Sequence, residues 1–314
     1  MNRESIAGLS IQDGMITAAW VTTGRGGRKR VRKLGQAAYD RGITSKKLAA
    51  TVQKLWRACR MPTYTVCSSM HSRSMVLKHF LFDGLTEAEI RSALRLDAEL
   101  VLGLPPEDIL TDWQVTRTAT SPEGGVRTEG VLVAVPRQDV ERHVRLLEMA
   151  DLYPVILDVG CMAAANLCLA LRNWDEEPQS ICLVNASSRS ADIIVFGPDS
   201  FMYPRTLFQR SGTWTDRADY LAESLVEAVR YCRYNLRQTP VERLLVTGSS
   251  AGTRGFGEQL ADAVGLPLEC WDPLTVLAKG SVRVRGAGGD DVKSGFALTT
   301  TLGLALRGTP NGHV

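Results

Sequence analysis

The chain has 314 residues and a formal net charge of +3. That length allows one to three domains, and that charge excludes a composition built around an obligate polyanion. With 44% hydrophobic and 23% charged residues, it is neither disordered nor fibrous. The start, MNRES, is not followed by an apolar run, so no signal peptide is expected. The least polar window, 152–171, is interrupted by Asp158, Gly160 and Asn166. It is too broken for a membrane span and fits a buried strand followed by a helix. The seven cysteines are scattered without a CxxC pair, as expected of reduced, buried thiols in a cytoplasmic protein.

In chain order, GLSIQDGMITAAWV at 8–21 predicts two short strands folded about Asp13-Gly14, the strongest short-range hairpin signal. Strands are predicted at 6–12, 15–22 and 29–38. The third carries a basic run, with Arg25, Arg28, Lys29, Arg30, Arg32 and Lys33. Lipid headgroups or nucleic acid would suit such a run, but no aromatic residue interleaves it. A solvated strand edge, where Lys and Arg discourage aggregation, is the simpler expectation. A helix at 45–60 places Leu48, Val52, Leu55 and Trp56 on one face, and a strand follows at 63–69. The first 70 residues therefore spell βββαβ.

SRSMVLKHFLFDGL at 72–85 suggests a further strand. Thr86 and Glu89 have capping-box spacing and open a helix that stops at Gly103-Leu104-Pro105-Pro106. Strands at about 112–118 and 126–135, a helix at 137–150, a strand ending in LDV and a helix at 160–172 follow. Asp175-Glu176-Glu177-Pro178 is the best linker. The second half restarts with ICLVNASSRSADIIVF at 181–196: strand, small polar turn, strand. A third strand at 200–208, a long helix at 216–236 and the strand–turn VERLLVTGSSAG come next. A short helix, LECWDPL, a glycine-rich loop at 286–289 and a closing helix at 294–306 complete it. The two halves repeat one βββαβ plan, which implies a duplicated α/β fold with a cleft between the halves.

Among motifs, Gly248-x-Ser250-x-Gly252 fits the turn of a hydrolase nucleophile. The one histidine after it is His313, in the terminal tail, so a serine hydrolase lacks a held base. The four histidines show no metal-ligand spacing, and no GxxxxGK[ST] loop is present.

The order of these segments resembles the type IV pilus assembly protein PilM family, actin-like ATPase-fold proteins, and its relatives in type II secretion. The resemblance rests on the hairpin at 8–21, TEAEIRSALRLDAELVLGLPPED at 86–108, TDWQV at 111–115 and VLVAVPRQDVERHVRLLEMADLYPVILDV at 131–159. TGSSAGTRGFGEQLADAVGLPLECWDPL at 247–274 and TTLGLALRG at 300–308 complete it. It implies an actin-like (ribonuclease H-like) α/β fold of duplicated halves. Residues 1–72 with 154–178 would form the first subdomain, 73–153 a small inserted α+β subdomain and 179–308 the second, followed by a tail at 309–314. The helical lid of family members has no counterpart, because RTLFQRSGTWTDRADYLAES runs straight into the long helix.

The resemblance places the nucleotide-facing positions at Ser10, Gln12, Asp13, Asn185, Ser187, Ser188, Gly248 and Ser249. The family's metal-holding acids fall on Ser10 and Asn185, and a glycine falls on Gln12. Hard cations are normally held by at least one carboxylate, so the site is expected to be degenerate, with no cofactor and no catalytic or metal residue. The alternative is an active ATPase that binds ATP and Mg2+ through those eight residues. As an adaptor, the chain would sit at the cytoplasmic face of the inner membrane and bind the cytoplasmic tail of a small single-span, PilN-like partner. Contact with a pilus or secretion ATPase and self-association are further partner expectations, and nucleic acid is not one. Phe80, Phe82, Leu85 and Leu104 are the candidate groove residues.

Overall fold

The computed structural model describes residues 6–24, 29–120, 125–172, 180–197, 202–209, 212–236, 240–277, 285–286 and 295–307. Asp13 and Gly14 both have positive φ, 53° and 87°, the pair that a type I′ hairpin turn requires. They join β1 (Ala7–Gln12) to β2 (Met15–Thr23), with Gln12 opposite Met15. β3 (Lys29–Ala38) extends the meander antiparallel to β2. After α1 (Ser45–Cys59), β4 (Thr65–Met70) returns parallel to β1, and β8 (Tyr153–Val159) lies parallel to β4.

The second half repeats this plan. β9 (Ile181–Ala186), β10 (Ser190–Phe196) and β11 (Met202–Phe208) form an antiparallel meander. α5 (Ala218–Tyr234) leads to β12 (Arg243–Thr247), parallel to β9, and β13 (Leu268–Cys270) lies beside β12. The strand orders β3-β2-β1-β4-β8 and β11-β10-β9-β12-β13 are equivalent, and β14 (Arg285–Gly286) flanks β3. Among the described residues, one 3-10 turn, Thr215–Arg217, stands between β11 and α5, so the long helix starts two residues later than predicted.

Between β4 and β8 lies a small sheet of β5 (Val76–Asp83), β6 (Ile109–Thr120) and β7 (Val126–Pro136), in the order β5-β7-β6. α2 (Glu87–Leu102) covers it. The predicted capping box is formed: Thr86 N donates to Glu89 Oε2 at 2.8 Å, and Glu89 N to Thr86 Oγ1 at 3.4 Å. The helix ends where Gly103 takes φ 63°. β6 runs several residues longer than expected at both ends, because it pairs with β7 along nearly its whole length. α3 (Arg137–Met149), at the end of the inserted segment in sequence, packs Leu146 and Leu147 against Val52, Leu55 and Trp56 of α1.

This packing corrects the groove expectation. Phe80 is a core side chain, beneath Ile90 and Leu94 of α2 and beside Leu132 of β7, with Phe82 and Leu85 half-buried against the same cluster. Leu104 belongs to a separate cluster with Ala98, Ile109 and Ala134. The four do not line one groove, because residues two apart on a strand share a face, and Phe80 and Phe82 both pack toward α2.

α4 (Gly160–Leu171) is buried along most of its length, as a sequence apolar but for Asn166 requires. It packs in one core with α8 (Thr299–Arg307), sandwiched between the two large sheets. At their crossing, a Cβ on Gly303 would lie 1.9 Å from the Ala163 carbonyl oxygen, so only glycine lets the two backbones approach this closely. α6 (Phe256–Val264) and α5 cover the outer face of the second sheet, and α7 (Pro273–Val276) is a single turn. Six cysteines are buried, Cys161 and Cys168 in the central core. Cys270, on the edge strand β13, is exposed, against the expectation of buried thiols. The linker 175–178, the loop at 287–289, Arg25, Arg28 and His313 lie outside the described residues.

Candidate functional site

The two hairpin turns and the Gly248 turn converge on one cavity of about 210 Å³. Its lining includes Ser10, Gln12, Asp13, Asn185, Ser187, Ser188, Gly248 and Ser249, all eight positions predicted from sequence. Met15, Thr17, Gln36, Ala297 and Thr300 complete it. Sequence equivalence of β1 and β9 therefore becomes spatial proximity across a cleft.

Gly248 shows how tightly the third turn is held. Its φ is 87°, its N–H donates to the Phe296 carbonyl at 3.2 Å, and a Cβ there would meet the Ala186 carbonyl oxygen at 2.3 Å. The Ser250 hydroxyl donates to the Ser187 carbonyl at 3.0 Å. That bond ties the turn to the second hairpin and occupies the hydroxyl that a hydrolase would need free.

The centre of the site is Asp13, at the tip of the first hairpin. Its Oδ2 accepts from the Ser187 and Ser190 hydroxyls and from the backbone N–H groups of Arg189 and Ser190, the last two at 3.1 Å. Gln12 Nε2 donates to Ser190 Oγ at 2.6 Å. Arg41 bridges the turns from outside, donating to the Asp13 carbonyl at 3.0 Å and to Ser188 Oγ at 2.8 Å. Burial works against the Asp13 charge. Ser187, the half-buried His71, Ser190 and the Arg189 N–H together still hold its carboxyl below the usual carboxylate range. Burial lowers the His71 imidazole from its ordinary value, against the attraction of Asp13. A turn presenting successive N–H groups is an anion cradle. Here the chain's own carboxylate lies in it.

Behind the turns the site is polar. Ser69 Oγ donates to Ser10 Oγ at 3.1 Å. Asn185 Nδ2 donates to Thr300 Oγ1 at 3.2 Å and to Asp192 Oδ2 at 3.3 Å. Asp192 is buried on β10 directly opposite Asn185, and burial pushes its carboxyl up to about 6, against hydrogen bonds from Thr206 and Asn185. Thr17 and Thr301 hydroxyls meet across β2 and α8, and Thr247 meets Thr299 at 2.7 Å. Among the described residues, no Lys or Arg lines the cavity, and Asp13 is its one charged lining group. Among the described residues, no cluster of metal-type ligands occurs.

Several of these contributors have weak sequence signals. Ser190 sits in the small polar turn already singled out, and the TTT run of α8 is conspicuous as three buried hydroxyls on one helix. Arg41 and Asp192 carry no local signal, since their roles depend on which strands and turns meet.

The family profile of type IV pilus assembly protein PilM matches residues 32–213, more than half of the chain. The chain belongs to the PilM family. Its fold is that of a solved "PilM-PilN type IV pilus biogenesis complex", with TM-score 0.77 at 19% identity over 98% of this chain and 99% of that one. The cytoplasmic domain of EpsL, an inner-membrane component of the Vibrio cholerae type II secretion system, matches at 11% identity. That match has TM-score 0.47 and covers 98% of both chains. The ethanolamine utilization protein EutJ of Carboxydothermus hydrogenoformans matches at 12% identity with TM-score 0.46, covering 96% of this chain and 88% of that one. No curated protein matches this PilM-family chain significantly in sequence. Among the described residues, no helix is long and apolar enough to cross a membrane.

Proposed function

We propose that this PilM-family protein is an actin-like adaptor of a type IV pilus or type II secretion-like assembly platform at the inner membrane, and that its cleft does not turn over nucleotide. The observation that carries this reading is the Asp13 carboxylate seated in the N–H cradle of the second hairpin. A phosphate entering there meets a fixed negative charge, with no lining cation among the described residues to offset it. The cavity, at about 210 Å³, is also below the roughly 300–1,000 Å³ of pockets that enclose small-molecule ligands. Ser10 and Asn185, where the family pattern has acids, are engaged with Ser69, Thr300 and Asp192.

The partner in this reading is the cytoplasmic tail of a small PilN-like membrane protein. It docks where the inserted sheet joins the first half, in a groove of about 470 Å³ lined by Leu48, Met70, His71, Arg73, Asp139 and Leu146 among others. The groove mixes apolar floor with charged rim, as extended-peptide sites do. The solved relative is a PilM-PilN type IV pilus biogenesis complex, which supports this choice of partner.

The second reading, an active Mg-ATPase, draws on the gathering of all eight predicted positions round one cavity. Calorimetric titration with ATP, with and without Mg2+, separates the two. The adaptor reading expects no saturable binding in the micromolar range. Micromolar Mg-ATP binding that disappears in Ser249→Trp overturns it. Binding of the partner-tail peptide, lost in Leu48→Glu, tests the groove.

A further inference from the structure

The charge of this chain is unevenly distributed. Residues 1–60 hold thirteen Lys and Arg against three Asp and Glu. Subtracting these from the totals of 37 and 34 leaves 24 against 31 for the rest. Part of that excess is organised on one helix. α1 (SKKLAATVQKLWRAC) contains four cations and no carboxylate. At about 100° per residue, Lys46, Arg57, Ala50, Lys54 and Lys47 fall in that order within an arc of roughly 100°. The buried residues Ala49, Val52, Leu55, Trp56 and Cys59 occupy the opposite side, against β3 and α3. All four cations are exposed, and among the described residues none has an ion-pair partner. β3, on which α1 packs, adds exposed Arg30 and Arg32 at its outer end.

We propose that the outward face of α1 is a docking surface for anionic phospholipid, laying the protein flat on a negatively charged bilayer. Between the cations the face offers the small side chain of Ala50, with no aromatic ring for base stacking. A convex helix without a cavity suits a planar array of headgroups better than a discrete ligand. The remainder of the molecule is net acidic. A long polyanion wrapping the protein would meet that repulsion, whereas a bilayer touches one face and leaves the acidic remainder pointing away. This surface lies apart from the cleft and on the side of α1 away from Leu48 of the partner groove, so it stands or falls separately from the adaptor reading.

Co-flotation of the full chain with vesicles tests it. Vesicles of phosphatidylcholine containing phosphatidylglycerol are expected to carry the protein, and pure phosphatidylcholine is not. Each neutralised cation lowers the partition coefficient about fivefold. The variant Lys46→Gln/Lys54→Gln/Arg57→Gln therefore loses flotation while keeping the parent's melting temperature, and added salt weakens the parent's binding. The charge-keeping Lys46→Arg/Lys54→Arg variant floats like the parent. Ala50→Glu, one substitution in the middle of the face, lowers flotation independently should the triple variant not fold. Equal flotation on neutral vesicles overturns the proposal, as does an Ala50→Glu protein that floats like the parent. Capture by a DNA duplex that is tighter than vesicle binding at the same salt, and lost in the same variants, assigns the face to nucleic acid instead.

Discussion

Asp13 illustrates how a turn residue acquires a second role once two turns meet. In the sequence it is the aspartate of an Asp-Gly hairpin, which needs no further explanation. In the fold it gathers two hydroxyls and two backbone N–H groups from the opposite half. Asp13→Ala strips four donors of their acceptor, with an expected cost of about 1–3 kcal/mol. Hydrogen exchange reads this locally: the amides of Arg189 and Ser190 exchange faster, and unchanged protection there would contradict the latch. Because the folded pKa of Asp13 is depressed, its contribution is complete above the ordinary carboxylate range and fades as pH falls below it. Asp192 has the opposite sign. Its carboxyl is pushed up to about 6 from 3.8, so its contribution is fully present below the unfolded value and is lost as pH rises through about 6. Asp192→Asn is therefore expected to raise the melting temperature at pH 7, by the equivalent of up to about 3 kcal/mol. The gain vanishes near pH 4. Calorimetry at the two pH values decides, and a lower melting temperature at neutral pH rejects the assignment.

At the scale of elements, the end of α4 is pinned to the second sheet by an ion pair. The Arg172 guanidinium, nearly buried, donates to both Glu269 oxygens at 3.0 Å, and Arg243 shares the same carboxylate. Glu269→Ala removes both carboxylate acceptors of this nearly buried guanidinium and is expected to destabilise by about 3–5 kcal/mol. Denaturant unfolding measures it, and a loss within about 0.5 kcal/mol would mean that the pair behaves as an exposed one. Elements such as this show where the sequence was informative. Period and caps revealed the meanders, the Thr86 box and the apolar α4, because those signals are local. The repeat of βββαβ implied the cleft, and the family resemblance, not the repeat, implied the eight positions that line it. What stayed hidden was pairwise and long-range. The Asp13–Ser190 contact spans 177 residues, and Arg172–Glu269 spans 97. Phe80 was misjudged for the same reason: a phenylalanine on a strand looks alike whether the face above it meets solvent or a helix.

For the whole molecule, chain order and packing order differ, and this limits how the halves can move. α4 follows the first sheet in sequence yet shares a core with Ile181, Leu183, Ile194 and Phe196 of the second. α8 closes the chain yet packs on β1, β2 and β4 of the first. The inserted sheet adds another bridge. His79 of β5 lies 6.2 Å from the Tyr203 ring of β11, and the Arg73 guanidinium donates to the Gln209 carbonyl at 2.9 Å. With the Asp13 latch, three separate sets of contacts join the halves. A cleft built to open and close with a ligand would require them to part, whereas a scaffold gains from keeping them fixed. The halves are therefore expected to unfold together, as one two-state unit. Two buried tryptophans report on them separately: Trp56 in the first half, whose Nε1 donates to the Thr63 carbonyl at 2.8 Å, and Trp214 in the second. Variants that keep only one of these two, with the other four replaced by phenylalanine, should show coincident thermal transitions by fluorescence. Midpoints separated by several degrees would mean that the crossed helices do not couple the halves. Gly303→Ala sharpens the test, because forcing the α4 and α8 backbones apart should lower both midpoints together, by the equivalent of about 3 kcal/mol or more.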